Sequence, residues 1–198
     1  MTVGQNEAVG VYATNSTIVT NNSTNTTAVG YGGYGFVLET NSALINDGGI
    51  SLNGKGTAVY SIGANTVTNN TGANIAMAGD NNIGFYMVSR GTVTNDANIT
   101  GTTGKSNIGI YNKNGVITNN GTISVGDSVL AYKSDGTIDF DHSGYAVGIY
   151  GEGSQINNTG NINIEVVENI KKNHPNLKAG FFVDWDYKND KIYDGKYW

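Results

Sequence analysis

The chain is predicted to fold as an all-β protein, a right-handed parallel β-helix (β-solenoid) of about seven coils with three short strands in each. Three observations predict it. A segment of small residue, aliphatic and, in most copies, Tyr recurs through the first 150 residues. An Asn-rich segment follows each copy at a steady phase. The composition, 29 Gly and one Pro with only 14% charged residues among 198, suits short strands joined by Gly and Asn turns better than a helical bundle or a charged disordered chain.

The first strand of each coil is read from Gly10-Val11-Tyr12, Gly35-Phe36-Val37, Ala58-Val59-Tyr60, Gly84-Phe85-Tyr86, Gly109-Ile110-Tyr111, Leu130-Ala131-Tyr132 and Gly148-Ile149-Tyr150. The third positions step by 25, 23, 26, 25, 21 and 18 residues, 23 on average. Period-two alternation turns Val9/Val11, Phe36, Val59, Ile83/Phe85/Met87, Ile108/Ile110, Val129/Ala131 and Val147/Ile149 inward. The Tyr column then faces outward beside a row of Gly and Ala.

The second strand is carried by Ile18 to Asn22, Leu44 to Asp47, Val67 to Asn70, Val93 to Asp96, Val116 to Asn120, Ile138 to Asp141 and Ile156 to Asn158. A third, alternating run closes most units, as in Ile50-Ser51-Leu52, Ile75-Ala76-Met77, Ile123-Ser124-Val125 and Ile162-Asn163-Ile164. In a solenoid, equivalent residues stack about 4.8 Å apart, so each side chain meets its own copy above and below. That geometry explains why Asn21, Asn69, Asn95, Asn119 and Asn158 recur in phase, since stacked amides hydrogen-bond along the axis. A meander of hairpins has no such need for identity at a fixed period.

Residues 1–164 form the repeat array, and the pattern ends there. Glu165 to Lys172 reads as a short helix before Pro175, Phe181 to Tyr187 alternates apolar and polar, and both Trp lie in the last 14 residues. Residues 165–198 are expected to be a cap or insertion covering the open end of the core, or an interaction segment in which Trp185 and Tyr187, flanked by Asp184 and Asp186, stack on a sugar. The candidate contact residues are therefore Tyr60, Tyr86, Tyr111, Tyr132, Tyr150, Trp185 and Tyr187. The bland role for the Tyr column is to strengthen the sheet through contacts between like neighbours.

A net charge of −5 argues against nucleic acid or an anionic membrane as partner. No run of about 20 apolar residues and no basic, apolar leader is present, so direct membrane insertion is not expected and an exported protein would be represented by a piece. The absence of Cys excludes thiolate metal sites and thiol nucleophiles. The single Arg, Arg90, and dispersed carboxylates offer little acid–base machinery; the closest cluster is Asp139, Asp141 and His142, whose alternation puts the two carboxylates on one face. That cluster is the seat of the rival function, a β-helix polysaccharide lyase or hydrolase. Gly104-Lys105-Ser106 lacks the earlier Gly of a phosphate loop, and no cofactor or metal is expected. The pairs Thr66/Thr68 and Thr92/Thr94 resemble the Thr arrays of ice-binding solenoids over two coils only.

The run Asn107-Ile108-Gly109-Ile110-Tyr111 followed by Val116-Ile117-Thr118-Asn119-Asn120-Gly121-Thr122-Ile123-Ser124-Val125 resembles the repeats of type V autotransporter passenger domains, above all the large fusobacterial adhesins. The likeness spans about residues 4–164. It implies export through a C-terminal barrel, display on the bacterial cell surface, and attachment to a protein or glycan of host cells or other bacteria. The segment is then a monomeric adhesin or spacer and not an enzyme.

Overall fold

Residues 1–22, 27–126 and 128–164 are described by the structure, a computed structural model. Residues 165–198, on which the expected short helix, the alternating Phe181 to Tyr187 run and the cap or insertion fall, lie outside the described residues.

The chain winds through three faces in turn. After β1 (Thr2–Val3), the first rung is β2 (Val9–Ala13), β3 (Ile18–Asn21) and β4 (Thr27–Val29). The next three rungs are β5 (Tyr34–Glu39), β6 (Ala43–Asn46) and β7 (Gly49–Asn53); β8 (Thr57–Ile62), β9 (Thr66–Asn69) and β10 (Asn74–Ala78); and β11 (Ile83–Met87), β12 (Thr92–Asn95) and β13 (Asn98–Gly101). The fifth is β14 (Ile108–Lys113), β15 (Val116–Asn119) and β16 (Thr122–Val125). Then β17 (Val129–Tyr132) and β18 (Ile138–Gly144) intervene before the last rung, β19 (Val147–Glu152), β20 (Gln155–Asn158) and β21 (Asn161–Ile164). The first face is β2-β5-β8-β11-β14-β19, the second β3-β6-β9-β12-β15-β20, and the third β1-β4-β7-β10-β13-β16-β21. Neighbours within each face pair in parallel, as a β-solenoid requires.

The rungs number six among the described residues, one fewer than the sequence period predicts, and they span five turns. On the first face the register runs Tyr12, Val37, Tyr60, Tyr86, Tyr111, Tyr150, so the last step is 39 residues where the earlier ones are 23 to 26. The extra length is β17 and β18, which pair antiparallel, with Ala131 opposite Asp139 and Tyr132 opposite Ile138. Leu130-Ala131-Tyr132 and Ile138 to Asp141 therefore belong to a hairpin inserted between two rungs. The triplet imitates the repeat because an aliphatic and an aromatic residue about a small one suit a hairpin strand as well as a solenoid rung.

Inward columns build the core. Leu44, Val67, Val93 and Ile117 stack on the second face, Ile50, Ile75, Ile99 and Ile123 on the third, and Phe36, Val59, Phe85, Ile110 and Ile149 on the first; all are buried. The same columns are only half-buried at Val19, Ile156 and Ile162, in the first and last rungs among the described residues. A rung's aliphatics contribute about 1.5–3 kcal/mol each, which only offsets ordering the backbone that carries them, so stability accumulates between rungs.

Strict alternation fails on the first face. Gly84 and Phe85 are both buried, while Ile83, Ile108 and Val147 are half-buried and Val9 is exposed. The Gly/Ala column thus faces inward, not outward beside the tyrosines. It lies where the third face approaches: a Cβ on Gly109 would come 2.5 Å from the Gly148 carbonyl oxygen and 2.6 Å from Cγ2 of Ile123. Only a small residue passes there, and the following residue regains the inward direction.

The predicted amide ladder is continuous and includes Asn46. Nδ2 of Asn21 donates to Oδ1 of Asn46 at 2.6 Å, and the chain continues through Asn69 (2.6 Å), Asn95 (2.7 Å), Asn119 (2.7 Å) and Asn158 (2.7 Å). Asn46, Asn95, Asn119 and Asn158 use their second amide hydrogen on the carbonyl two residues ahead. Asn65 and Asn82 serve the other two corners in the same way, each taking a backbone N–H from the preceding rung on Oδ1. Among the described residues Asn112 Oδ1 is a buried acceptor left without a partner.

Replacing Asn95 by Ala orphans Asn69 Nδ2 and Asn119 Oδ1 together and leaves the Ala97 carbonyl with the Thr122 N–H alone, and should lower unfolding free energy by about 2–5 kcal/mol in a denaturant titration. Thr94→Ala, one residue away on the outer surface, should change it by less than about 0.5 kcal/mol. Gly109→Ala should cost about 1–3 kcal/mol through overpacking against the Gly148 backbone; an unchanged midpoint would refute the close approach.

Candidate functional site: an aromatic column on the first face

Tyr60, Tyr86, Tyr111 and Tyr150 occupy one register column with their rings outward and half-buried by one another. Ring centroids lie 5.5 Å apart for Tyr60 and Tyr86, 4.9 Å for Tyr86 and Tyr111, and 5.3 Å for Tyr111 and Tyr150. The first two pairs are tilted at 58° and 65°, and the third is stacked at 15°. Parallel strands impose the spacing, and the ring quadrupoles favour tilting over face-to-face registry at such distances.

The column has a member the repeat does not announce. At the second rung Val37 takes the Tyr position and is 7% exposed. Tyr34, three residues earlier, brings its ring 5.6 Å from that of Tyr60 and fills the gap, giving five rings in contact. Its row also holds Ile83, Ile108 and Val147, so the broken alternation places an aliphatic column on the same outer side. The sequence signal was the Tyr-Gly-Phe order in the one copy whose third position is Val.

Carboxylates hold two tyrosines of this face. The Tyr12 hydroxyl donates to Glu39 at 2.5 Å, and the Tyr111 hydroxyl donates to Glu152 Oε2 at 2.8 Å. Glu152 Oε1 also meets Lys113 Nζ at 2.6 Å. Hydrogen bonds from Lys113 and then Tyr111 lower the Glu152 carboxyl below its ordinary range. Burial first, then the bond to Glu152, raises the Tyr111 phenol well above its ordinary value. Tyr60 is raised chiefly by burial among its neighbours, and Tyr12 chiefly by its bond to Glu39.

The other expected site residues are not brought to this column. Tyr132 is 57% exposed on the inserted hairpin. Trp185 and Tyr187 lie outside the described residues. Asp139 is half-buried on β18, and the side chains of Asp141 and His142 lie outside the described set. Among the described residues no three His, Cys, Asp or Glu side chains gather as metal ligands, and no helix is long and apolar enough to cross a membrane. Comparison of the chain with protein-family models, with curated proteins and with solved structures finds no match.

The tether predicts a pH response of defined sign. A phenol raised in the folded state contributes its full stability below the ordinary value of 10.0 and loses it as pH climbs toward the higher folded value. A lowered carboxyl contributes above the ordinary value of 4.5 and loses its part as pH falls through the lower folded value. Phenolate absorbance should therefore reveal late-ionising tyrosines, and Glu152→Gln should bring one of them back toward the ordinary range. An identical titration for both proteins would remove Glu152 from the account of Tyr111.

Proposed function

We propose that this chain is a surface-displayed adhesin or scaffold segment of the autotransporter passenger kind, which attaches a bacterium to a protein or glycan on host cells or other bacteria, or spaces a distal binding region. The observation that carries the contact role is the unbroken run of five outward tyrosine rings along a rigid stack. Tyr supplies large, amphipathic contact area with few rotatable bonds, which is why it concentrates where proteins bind one another. Stacked repeats hold such groups in line without a ligand present, so little ordering opposes binding.

The outer surfaces of the other two faces support a display role. The in-register pairs Thr66/Thr68 and Thr92/Thr94 on the second face, and Asn74/Ala76 and Asn98/Thr100 on the third, are small and uncharged, which suits an inert shaft. Display outside the cell, through a barrel belonging to the parent polypeptide, rests on the repeat resemblance.

Binding of the labelled fragment to epithelial cells and to partner bacteria tests the proposal. The double variant Tyr86→Ala/Tyr111→Ala should lose about tenfold or more in apparent affinity, equivalent to about 1.4 kcal/mol, while Tyr132→Ala retains wild-type binding. The double replacement removes the Tyr60–Tyr86, Tyr86–Tyr111 and Tyr111–Tyr150 ring contacts, each worth about 0.5–1.5 kcal/mol, so melting temperature should be followed alongside. Uniform absence of binding would reject the contact strip and leave a spacer.

A further inference from the structure

We propose that the open corner between the third and first faces is a second binding site, for a neutral oligosaccharide seated on Tyr31. The corner forms a depression of about 550 Å³ lined by Gln5, Tyr31, Asn53, Lys55, Asp80 and Asn81, contributed by four successive rungs. That volume lies within the range of sites for small ligands, roughly 300–1,000 Å³. It is separate from the aromatic column, none of whose five rings lines it.

The backbone beneath the depression is rigid. Asn6 N–H donates to the Tyr31 carbonyl at 3.0 Å, Gly32 N–H to Gly54 at 3.1 Å, Lys55 N–H to Asp80 at 2.8 Å and Asn81 N–H to Lys105 at 2.9 Å. Each corner residue is thus pinned by the next rung. Left-handed backbone at Gly54, Lys55 and Asn81, with φ of 69°, 50° and 59°, makes the turn tight, and Lys55 and Asn81 are exposed on it.

Tyr31 is 44% exposed, and its ring rests on Gly54, where a Cβ would come 3.1 Å from Cδ2. Lys55 Nζ stands 5.6 Å from the ring centroid, in cation–π range. The Lys55 side chain is itself exposed, so the C–H face of a pyranose would take the place of its ammonium against the Tyr31 ring, and the ammonium would then meet the sugar hydroxyls. Around the ring, three primary amides offer donors and acceptors together. Asp80 spends Oδ1 on the Lys105 N–H at 2.8 Å, leaving its other oxygen to accept a hydroxyl. The lining carries one cation and one carboxylate, so its formal charge cancels and favours an uncharged, hydroxyl-rich ligand over a polyanion.

A second observation falls at the same corner. The inserted hairpin leaves and re-enters the solenoid between the third and first faces, and Gly144 at its return packs so closely on Ser106 that a Cβ there would overlap Oγ. The same Cβ would stand 4.0 Å from Asn81 Oδ1, a group that lines the depression. Insertions in solenoids map to loops on one face, often the binding face.

Titration of the folded fragment with neutral hexasaccharides of glucose, mannose and N-acetylglucosamine, followed by amide chemical shifts, tests the site. Shifts should cluster at residues 5, 31, 53–55 and 79–81. Tyr31→Ala should weaken binding about tenfold or more, Tyr31→Phe should stay within about threefold, and Thr94→Ala, on the second face and outside both sites, should leave it unchanged. Tyr31 is half-exposed at a corner and outside the buried aliphatic core, so the circular dichroism spectrum should not change with its replacement. Absence of shifts with every saccharide, loss through Tyr86→Ala in place of Tyr31→Ala, or binding confined to uronate polymers would each overturn the proposal. Failure of the strip variants in cell binding leaves this prediction intact, so the two readings fail separately.

Discussion

Each side chain of this protein must fit its own counterpart one strand spacing away. That condition governs the rest. Aliphatic columns satisfy it by filling the interior, and asparagine satisfies it at a corner because its amide donates upward and accepts from below in a single repeating geometry. A run of such bonds shares one polarity, and polarised hydrogen bonds strengthen one another in a low-dielectric interior. The ladder therefore fixes the register of all three faces: a slip by one residue would bury Thr94 in place of Val93 and break the amide chain at the same moment.

The same condition accounts for what lies outside the core. Tyrosines recur on the first face because that column tolerates an aromatic in every rung, and their rings settle against one another where solvent would otherwise wet both faces. Where a rung carries Val37, a ring from Tyr34 restores contact. The surface is thus continuous although the sequence column is not. The Asn-rich corners do opposite work. There the backbone bends, its polar groups need partners, and buried Asn65, Asn82 and Asn107 supply them both within their own corner and to the preceding rung.

Interruption of the stack is informative in the same terms. A hairpin pairs its own strands, so it leaves the solenoid without asking the rungs on either side to change register: Ile110 still pairs with Ile149 and Asn119 still bonds Asn158 across a gap of 39 residues. Loop closure over such a length adds little to the entropy already lost in ordering the rungs. Elements that read a ligand can be added to a shaft of this type without disturbing it.

The architecture was legible in the sequence, because period and phase are properties of the chain: the strand triplets, the steady recurrence of the second-strand segments and the amide ladder all show as like residues recurring in step. The sequence also placed Tyr60, Tyr86, Tyr111 and Tyr150 in one outward column. The remainder emerged on folding. Folding separated a hairpin from a rung, since Leu130-Ala131-Tyr132 has the composition of either and pairing direction is not written in composition. It turned the Gly/Ala column inward, since a residue's side at a corner depends on the neighbouring face that approaches it. It brought Tyr34 to Tyr60 and assembled Gln5, Tyr31, Lys55 and Asp80 around one hollow, since contacts between rungs follow from where the corners bend, which local pattern does not encode.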